Sequence, residues 1–449
     1  MTLKHDVVIV GGGIAGSLAA VAAARKGVST IVIEETGQLG GSLTSSGTGP
    51  MMTFHAGEKQ VIRGLGEELI CRLIEKGLSP GHTVDSTGYT YTVTPFDAEG
   101  MKRELELMIL EAGGHILYHA VLSDVHVNGD LKSITVLCCS QKITVEGKVF
   151  IDATGDASLC LMSGVGVEVG RSRDGKNQPM TMNFRLSGVD ISLIRKLMEE
   201  DVSIFPFLSP HEKGFEKKAV RLSCSGFQDI MKRGIASGEL DIDRDIVLFF
   251  EDNTPGEVIV NMTRVSGLSP VDPIEFSQAE TEGRRQVWLM YSYLKKNIPG
   301  FSDSILLSSG PRIGVRSSRR MKGVYSITAR DMIAETKFDD GIACCGYPID
   351  IHSADGTATD STFLRYGGYY SIPYRCLINE KVSNIMAAGR DVSSEFEANG
   401  SLRVSPSCTA LGQAAGTAAA LAALKGVSPL EIDVPELRKI LREDGAIVE

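Results

Sequence analysis

Residues 6–10, Asp-Val-Val-Ile-Val, run straight into Gly11-Gly12-Gly13-Ile14-Ala15-Gly16, then into an alanine-rich stretch ending Arg25-Lys26-Gly27. Nothing else in the chain restricts its folding options as much. The β-branched run suits a parallel strand buried on both faces. The glycines match G-x-G-x-x-G: Gly11 permits a tight turn, Gly13 lets the backbone approach a pyrophosphate, and Gly16 lets the next helix lie close to the strand. The pattern predicts a helix over 15–26 whose N-terminal turn, at Ile14 and Ala15, holds phosphates. Its basic last turn and Gly27 close it. A basic residue, an apolar run and small residues also describe a secretory signal peptide. Residues 30–33 decide between the two, because a second strand there ends in Glu34-Glu35. An acid at that point accepts hydrogen bonds from a ribose 2′-hydroxyl and repels a 2′-phosphate, so the ordered pattern is a dinucleotide site that disfavours NADP.

At 449 residues the chain is long for one core, which points to two or three structural units. Glycine is abundant, at 49 residues, as many tight turns and close backbone approaches require. A net charge of −10 without long charge blocks argues against nucleic acid as a partner. Nine cysteines, none in a C-x-x-C pair, fit reduced thiols in a cytoplasm better than a disulfide framework, a zinc ribbon or an iron–sulfur site. The Cys138-Cys139 and Cys344-Cys345 neighbours read as buried strand residues, with a vicinal redox pair as the alternative. No apolar run is expected to approach the roughly 20 residues that span a bilayer, so no membrane partner is expected.

Several later segments carry a resemblance. Gln38-Leu39-Gly40-Gly41-Ser42-Leu43-Thr44 places a glycine pair just beyond the ribose acid, as in FAD-binding flavoproteins related to glutathione reductase. In that resemblance, Gly40 and Gly41 face the FAD pyrophosphate and Ser42 adds a hydroxyl. Residues 149–158, VFIDATGDAS, carry the Thr154-Gly155 "ATG" element of the same superfamily. Residues 384–388 read as a strand, turning at Gly389-Arg390-Asp391. Ser405-Pro406 then supplies a cap and a first-turn proline for a helix over 407–424. In the flavoproteins that this segment resembles, such a helix aims its N-terminus at the pyrimidine edge of the isoalloxazine, where reduced flavin carries negative charge. The chain is similar, nearly end to end and least so over 190–300, to a bacterial FAD-dependent oxidoreductase family of this glutathione-reductase-like superfamily. The family's G-I-R-E-S-R-R segment stands here as Gly314-Val315-Arg316-Ser317-Ser318-Arg319-Arg320, with Ser317 where the family often has Glu. Its G-S-L-R-V motif is Gly400-Ser401-Leu402-Arg403-Val404. The segments YPIDIHSADG, residues 347–356, and YYSIPYRCLI, residues 369–378, also resemble family segments. The resemblance implies FAD as cofactor, held by Gly11, Gly13, Ile14, Ala15, Gly16, Glu34, Glu35, Gly40, Gly41, Ser42, Thr154, Gly155, Gly389, Asp391, Ser401, Leu402 and Arg403.

The expected fold class is α/β, a discontinuous Rossmann-like FAD-binding domain with an inserted α+β substrate domain. The first comprises residues 1–160 and 376–449, and the second residues 161–375. Within the first, a helix over 96–112 is expected behind Thr94-Pro95, with strands near 115–127, 131–139 and 142–152. Within the second, helices are expected near 190–200 and 278–296, the latter carrying Trp288. No second G-x-G-x-x-G occurs, so electrons are expected to pass through the substrate pocket or a partner rather than a separate NAD(P)H domain.

A flavin dehydrogenase needs a proton acceptor or donor and groups that orient the substrate. His352 is the first candidate, since an imidazole suits proton transfer near neutrality. It follows a strand and precedes a loop, 353–356, that could lie over the flavin; the alternative is a loop histidine bonded only to backbone. Among Arg312, Arg316, Arg319 and Arg320, one is expected to grip the cofactor or a substrate carboxylate, with Arg316 and Arg319 as the candidates. Arg403 and Arg375 are similar candidates, and structural ion pairing is the alternative for each. Tyr347, Tyr369, Tyr370 and Tyr374 could line the pocket. His115, His119 and His126 lie in strand-like sequence without a metal motif, so no metal site is expected. The expected function is hydride transfer between flavin N5 and a small organic substrate that could bear a carboxylate. Alternatives are an electron-transfer subunit serving a partner or electron carrier, an RNA-modifying flavoprotein, and a nucleotide-binding protein without turnover; a homo-oligomer is open.

Overall fold

Val7–Val10 is buried along its whole length, as a strand covered on both faces must be. It is the middle of a five-stranded parallel sheet ordered Ile385–Ala387, Val149–Asp152, Val7–Val10, Thr30–Ile33, His115–Leu117. The computed structural model describes residues 1–205, 218–242, 244–353 and 359–449. Because Ile385–Ala387 forms the sheet's edge, segments from both halves of the chain share one layer.

Helix Ile14–Arg25 follows the glycine turn and lies against helix Ser405–Lys425. Glycine sets the closeness of that pair: a Cβ on Gly412 would collide with the Ala15 carbonyl, and one on Gly416 with that of Ala19. Residues four apart share a helix face, so these two glycines form one smooth stripe. The same helix corrects the expectation that no run is long and apolar enough to cross a membrane. By length and composition Ser405–Lys425 is, yet 94% of its apolar window is buried inside the protein.

Several boundaries differ from expectation for local reasons. The helix expected over 96–112 spans Ala98–Glu111 and is capped by Asp97, whose carboxylate accepts from Gly100 N. Thr94 is engaged elsewhere, exchanging backbone hydrogen bonds with Met51. Ser405 is the first helical residue rather than a cap; Val404 occupies the cap position and supplies no side-chain bond. The strand expected over 142–152 breaks at Gly147-Lys148. Gln141–Glu146 joins a separate sheet, antiparallel to Asp130–Cys138 and parallel to Thr2–Lys4, while Val149–Asp152 enters the parallel one. Residues 115–127 likewise split into His115–Leu117 and Val121–Asn128. Cys344 and Cys345 are buried in strand Gly341–Cys345, but Cys139 is exposed at a hairpin turn with φ of 49° and Cys138 is only half-buried.

A second layer is antiparallel, ordered Ser223–Gly226, Val247–Glu251, Val258–Val260, Phe184–Ser187, Ile305–Ser309. The 25-residue helix Pro273–Asn297 covers it, adding Ala279, Val287, Met290 and Leu294 to a core with Phe184, Phe249 and Phe301. Trp288 points outward from that helix. This second core takes residues between Met180 and Ile313, and from Met321 onward the chain packs in the first. The return therefore comes well before residue 376.

Candidate functional site

The carboxyl ends of the parallel strands open into a cavity of about 560 Å³, the position at which open α/β sheets bind ligands. Gly11, Gly13, Ile14, Ala15, Glu34, Glu35, Gly40, Gly41, Ser42, Thr154, Gly155 and Gly389 all line it. The two glycine turns lie side by side: Gly40 N donates to Gly12 O at 2.9 Å, and a Cβ on Gly41 would stand 2.9 Å from Gly13 Cα. Gly16 faces away, where a Cβ would collide with the Gly11 carbonyl oxygen. It packs helix against turn and does not line the cavity.

Two helices end on this cavity without caps. Ile14–Arg25 and Ser405–Lys425 have neither a side-chain cap nor an acidic residue in the first turn. Val404, Ser405 and Cys408 line the cavity at the second helix. The first N–H groups of a helix need acceptors, and the dipole favours negative charge there. Glycine turns without side chains beside one bare helix N-terminus fit a dinucleotide pyrophosphate, and the second N-terminus fits an electron-rich ring edge. The residues present thus fit FAD.

The acids at this end are differently placed. Glu34 is buried, its Oε2 accepting from Gly12 N at 2.7 Å and its Oε1 from Thr36 N at 2.7 Å. Oε1 also accepts from Thr36 Oγ1 at 2.7 Å, so Oε2 is the oxygen that keeps acceptor capacity for a hydroxyl. Glu35 pairs with Arg312, which also reaches within 3.8 Å of Asp156. Asp156 further accepts from Arg390 Nη2 at 2.8 Å and Ser318 Oγ at 2.6 Å. Burial opposes ionisation of Asp156, but Arg390, Ser318 and Arg312 outweigh it and hold the carboxyl below its usual range.

Besides Gly16, the structure places four of the expected site residues outside the cavity wall. Asp391 is buried behind it, accepting from Gly155 N at 3.0 Å. Ser401 and Leu402 lie in helix Phe396–Leu402, buried against strand Ile349–His352. Ser401 Oγ donates to the Tyr347 carbonyl at 2.6 Å and bonds the Tyr370 hydroxyl. A Cβ on Gly400 would stand 2.7 Å from Asp350 O, so the first part of this motif sets the approach of helix to strand, and only Arg403 and Val404 of it reach the cavity. Arg319 turns to the Val271 carbonyl at 3.4 Å. Arg320 is buried on the Ser394 and Gly170 carbonyls, and Arg375 pairs with Asp340. Of the tyrosines only Tyr347 lines the cavity; Tyr370 and Tyr374 are core, and Tyr369 meets Lys59.

At the other end of the cavity stand Arg316, Tyr347, Asp350, His352 and Arg403. Asp350 and His352 are two apart on strand Ile349–His352 and so project from one face. His352 Nε2 lies 3.3 Å from Asp350 Oδ2, and its Nδ1 3.3 Å from Thr359 Oγ1. The imidazole therefore meets side chains rather than backbone. Residues 354–356 of the loop expected over the flavin lie outside the described residues. Arg403 Nη2 also reaches Asp350 Oδ2 at 3.3 Å, and Tyr347 Oη lies 3.5 Å from it. Arg316 Nη1 donates to the Pro179 carbonyl at 2.7 Å and to Thr181 Oγ1 at 2.5 Å. Ser317, the departure from the family, accepts from Gln178 N at 2.9 Å, and Gln178 Oε1 accepts from His352 N.

Burial and then the Arg316 charge push the His352 imidazole down to about 3, more than Asp350 raises it. Burial works against an ionised Asp350, but the neighbouring imidazole and the Arg403 and Arg316 guanidinium groups hold its carboxyl well below the usual range. Burial and then Arg403 push Arg316 down to about 9, still charged at neutral pH. The result is a neutral base set between an anion and cations.

The opposite wall comes from the second layer: Thr181 and Asn183 before strand Phe184–Ser187, Phe250 in Val247–Glu251, and Asn261 after Val258–Val260. Asn183 Oδ1 is buried without a hydrogen-bond partner, and its Nδ2 donates to Thr48. Sequence reasoning missed these residues and Asp350. The alternation in Tyr-Pro-Ile-Asp-Ile-His could have paired Asp350 with His352; Asn183 and Asn261 carry no local signal.

A model of the family described as FAD dependent oxidoreductase matches residues 6–441. Over 168 residues the chain is 30% identical to a thiamine thiazole synthase of Methanococcus vannielii, covering 35% of this chain and 59% of that protein. Over 46 residues it is 50% identical to a 3-oxosteroid 1-dehydrogenase of Mycolicibacterium smegmatis, covering 10% of this chain and 8% of that one. The chain thus spans less than two thirds of either curated relative. A geranylgeranyl bacteriochlorophyll reductase-like protein of Thermoplasma acidophilum aligns over 99% of this chain and 83% of its own, with a TM-score of 0.47 at 13% identity. The L-proline dehydrogenase of P. horikoshii aligns over 99% of both chains, with a TM-score of 0.46 at 11% identity.

Proposed function

The chain belongs to the FAD-dependent oxidoreductase family, and from that premise we propose that it moves a hydride between flavin N5 and a small organic substrate held between its two layers. As a member of that family it is an enzyme with FAD as cofactor. FAD supplies the ring atom that takes or gives the hydride; this chain's residues bind, orient and move the proton. In this reading Gly11, Gly13, Ile14 and Ala15 meet the pyrophosphate, with Gly40, Gly41 and Ser42 beside them. Glu34 takes the ribose hydroxyl, because Glu35 is engaged by Arg312. The glycine pair and the bare N-terminus of Ser405–Lys425 support kinship with glutathione-reductase-like flavoproteins.

The observation that carries the reading is the meeting of Asp350, His352, Arg316 and Arg403 with two uncapped helix N-termini in one cavity. In the oxidative direction a substrate carbon loses hydride and an attached N–H or O–H loses its proton to neutral His352, which Asp350 orients. A carboxylate on Arg316 offsets the charge that depresses the imidazole, so substrate binding itself raises His352 basicity. A second substrate, oxygen or an electron carrier then removes the electrons.

An anaerobic screen of carboxylates and amines for bleaching of the bound flavin tests this. With a bleaching substrate in hand, His352→Gln is expected to slow flavin reduction by about 10²-fold while FAD content stays unchanged. Full-rate reduction in that variant would remove His352 from the proton transfer, and failure to take up FAD would overturn the reading.

A further inference from the structure

The end of the cavity that holds His352 is richer in cations than the reaction needs. Arg312 and Arg390, at the other end, are matched by Glu35 and Asp156. Arg316 and Arg403 share the single lining carboxylate Asp350. Arg244 stands behind them within electrostatic range of Asp350 and Arg316, and its buried Nε has no hydrogen-bond partner. Arg244 does not itself line the cavity, and the second carboxylate acting on it, Asp245, is engaged by Gln228.

The donors are open as well as charged. Among the described residues Arg316 bonds through Nη1 alone, to Pro179 and Thr181, and Arg403 through one Nη alone, to Asp350. A guanidinium carries five donors in a fixed fork, so each of these two keeps an edge for a carboxylate. Arg403 Nε is buried without a hydrogen-bond partner.

We propose that the substrate is a small dicarboxylate, one carboxylate on the open edge of Arg316 and the other on Arg403, with the reacting carbon beside His352. This rests on the oxidoreductase reading and deepens it. Arg316, Arg403, Arg244 and Arg264 together outnumber Asp350 here, so a dianion offsets more of that charge than a monoanion does. A monoanion leaves more of the positive charge around buried Arg316 uncompensated, which is costly.

Calorimetric titration of the FAD-loaded protein tests this without turnover, using succinate, glutarate and, as the monoanion of matched size, butyrate. Succinate or glutarate is expected to bind at least roughly tenfold more tightly than butyrate, and Arg316→Gln and Arg403→Gln each to erase that preference. Arg316→Lys, which keeps charge but not the fork, is expected to restore only part of it. Equal binding of mono- and dicarboxylates, or no binding by either, overturns the proposal. So does undiminished preference in Arg316→Gln, or loss of FAD from that variant, which would assign the guanidinium to the cofactor. Chemical reduction and reoxidation of the flavin in the same preparation separates the two readings: a flavin that cycles without dianion preference sinks only this one.

Discussion

His352 and His55 make the fold acid-sensitive through the same physics. Burial, then Arg316, holds His352 down to about 3; burial, then His82, holds His55 down to about 4. Each folded value lies below the ordinary imidazole value of about 6.5, so the unfolded chain binds more protons between the two. Their contribution to stability is present above pH 6.5 and is lost as pH falls toward 4 and 3. His352 is expected to remove about 2 kcal/mol between pH 7 and 5, and half-buried His55 less than that because solvent screens it. Thermal unfolding from pH 7 to 5 checks this: the midpoint should fall, and His55→Gln should flatten part of the slope. A flat wild-type profile would count against buried neutral imidazoles. At this scale local sequence was informative about chemistry and poor about direction. His352 and Arg316 were legible as candidates, whereas Ser401 and Leu402 resemble site residues and face a helix–strand seam.

At the scale of elements, the helix pair Ile14–Arg25 and Ser405–Lys425 is the piece on which the cavity depends, because both N-termini reach it only if the axes stay close. Gly412 and Gly416 permit that closeness against Ala15 and Ala19. Gly412→Val is therefore expected to destabilise by about 3 kcal/mol and to cost FAD retention, while Leu424→Ala, on the exposed end of the same helix, should stay within about 0.5 kcal/mol. Denaturant unfolding with flavin release measured in parallel distinguishes them; equal effects would deny the glycine stripe its role. The composition announced a packing helix of small residues. Its partner was not announced, because a stripe of glycines says how near a neighbour comes and not which neighbour it is.

On the scale of the whole molecule, the two layers meet across the cavity, and Arg312 links them by joining Glu35 of the first to the chain leaving the second. A partly exposed ion pair contributes little to folding. Arg312→Ala should accordingly shift unfolding by less than about 1 kcal/mol while speeding FAD dissociation, as dilution and flavin fluorescence would show. Unchanged FAD release would make the pair a surface ornament. Domain order was partly legible: the parallel unit and its discontinuity followed from strand and glycine signals at both ends. The point of return was not, since residues from Met321 onward carry no motif and join the first core only by packing.

What the sequence determined by itself was the dinucleotide turn, because strand, glycines, helix and ribose acid are local and each leaves a letter-by-letter mark. It also determined that a second, distant segment ends in a small-residue helix. Tertiary structure alone decided which acid is available for a ribose, which motif residues reach solvent-filled space, and that Asp350 stands under His352. It alone brought Thr181, Asn183 and Asn261 opposite the arginines. Those are consequences of which faces are buried against which, and a face is a property of the packed chain rather than of any stretch of it.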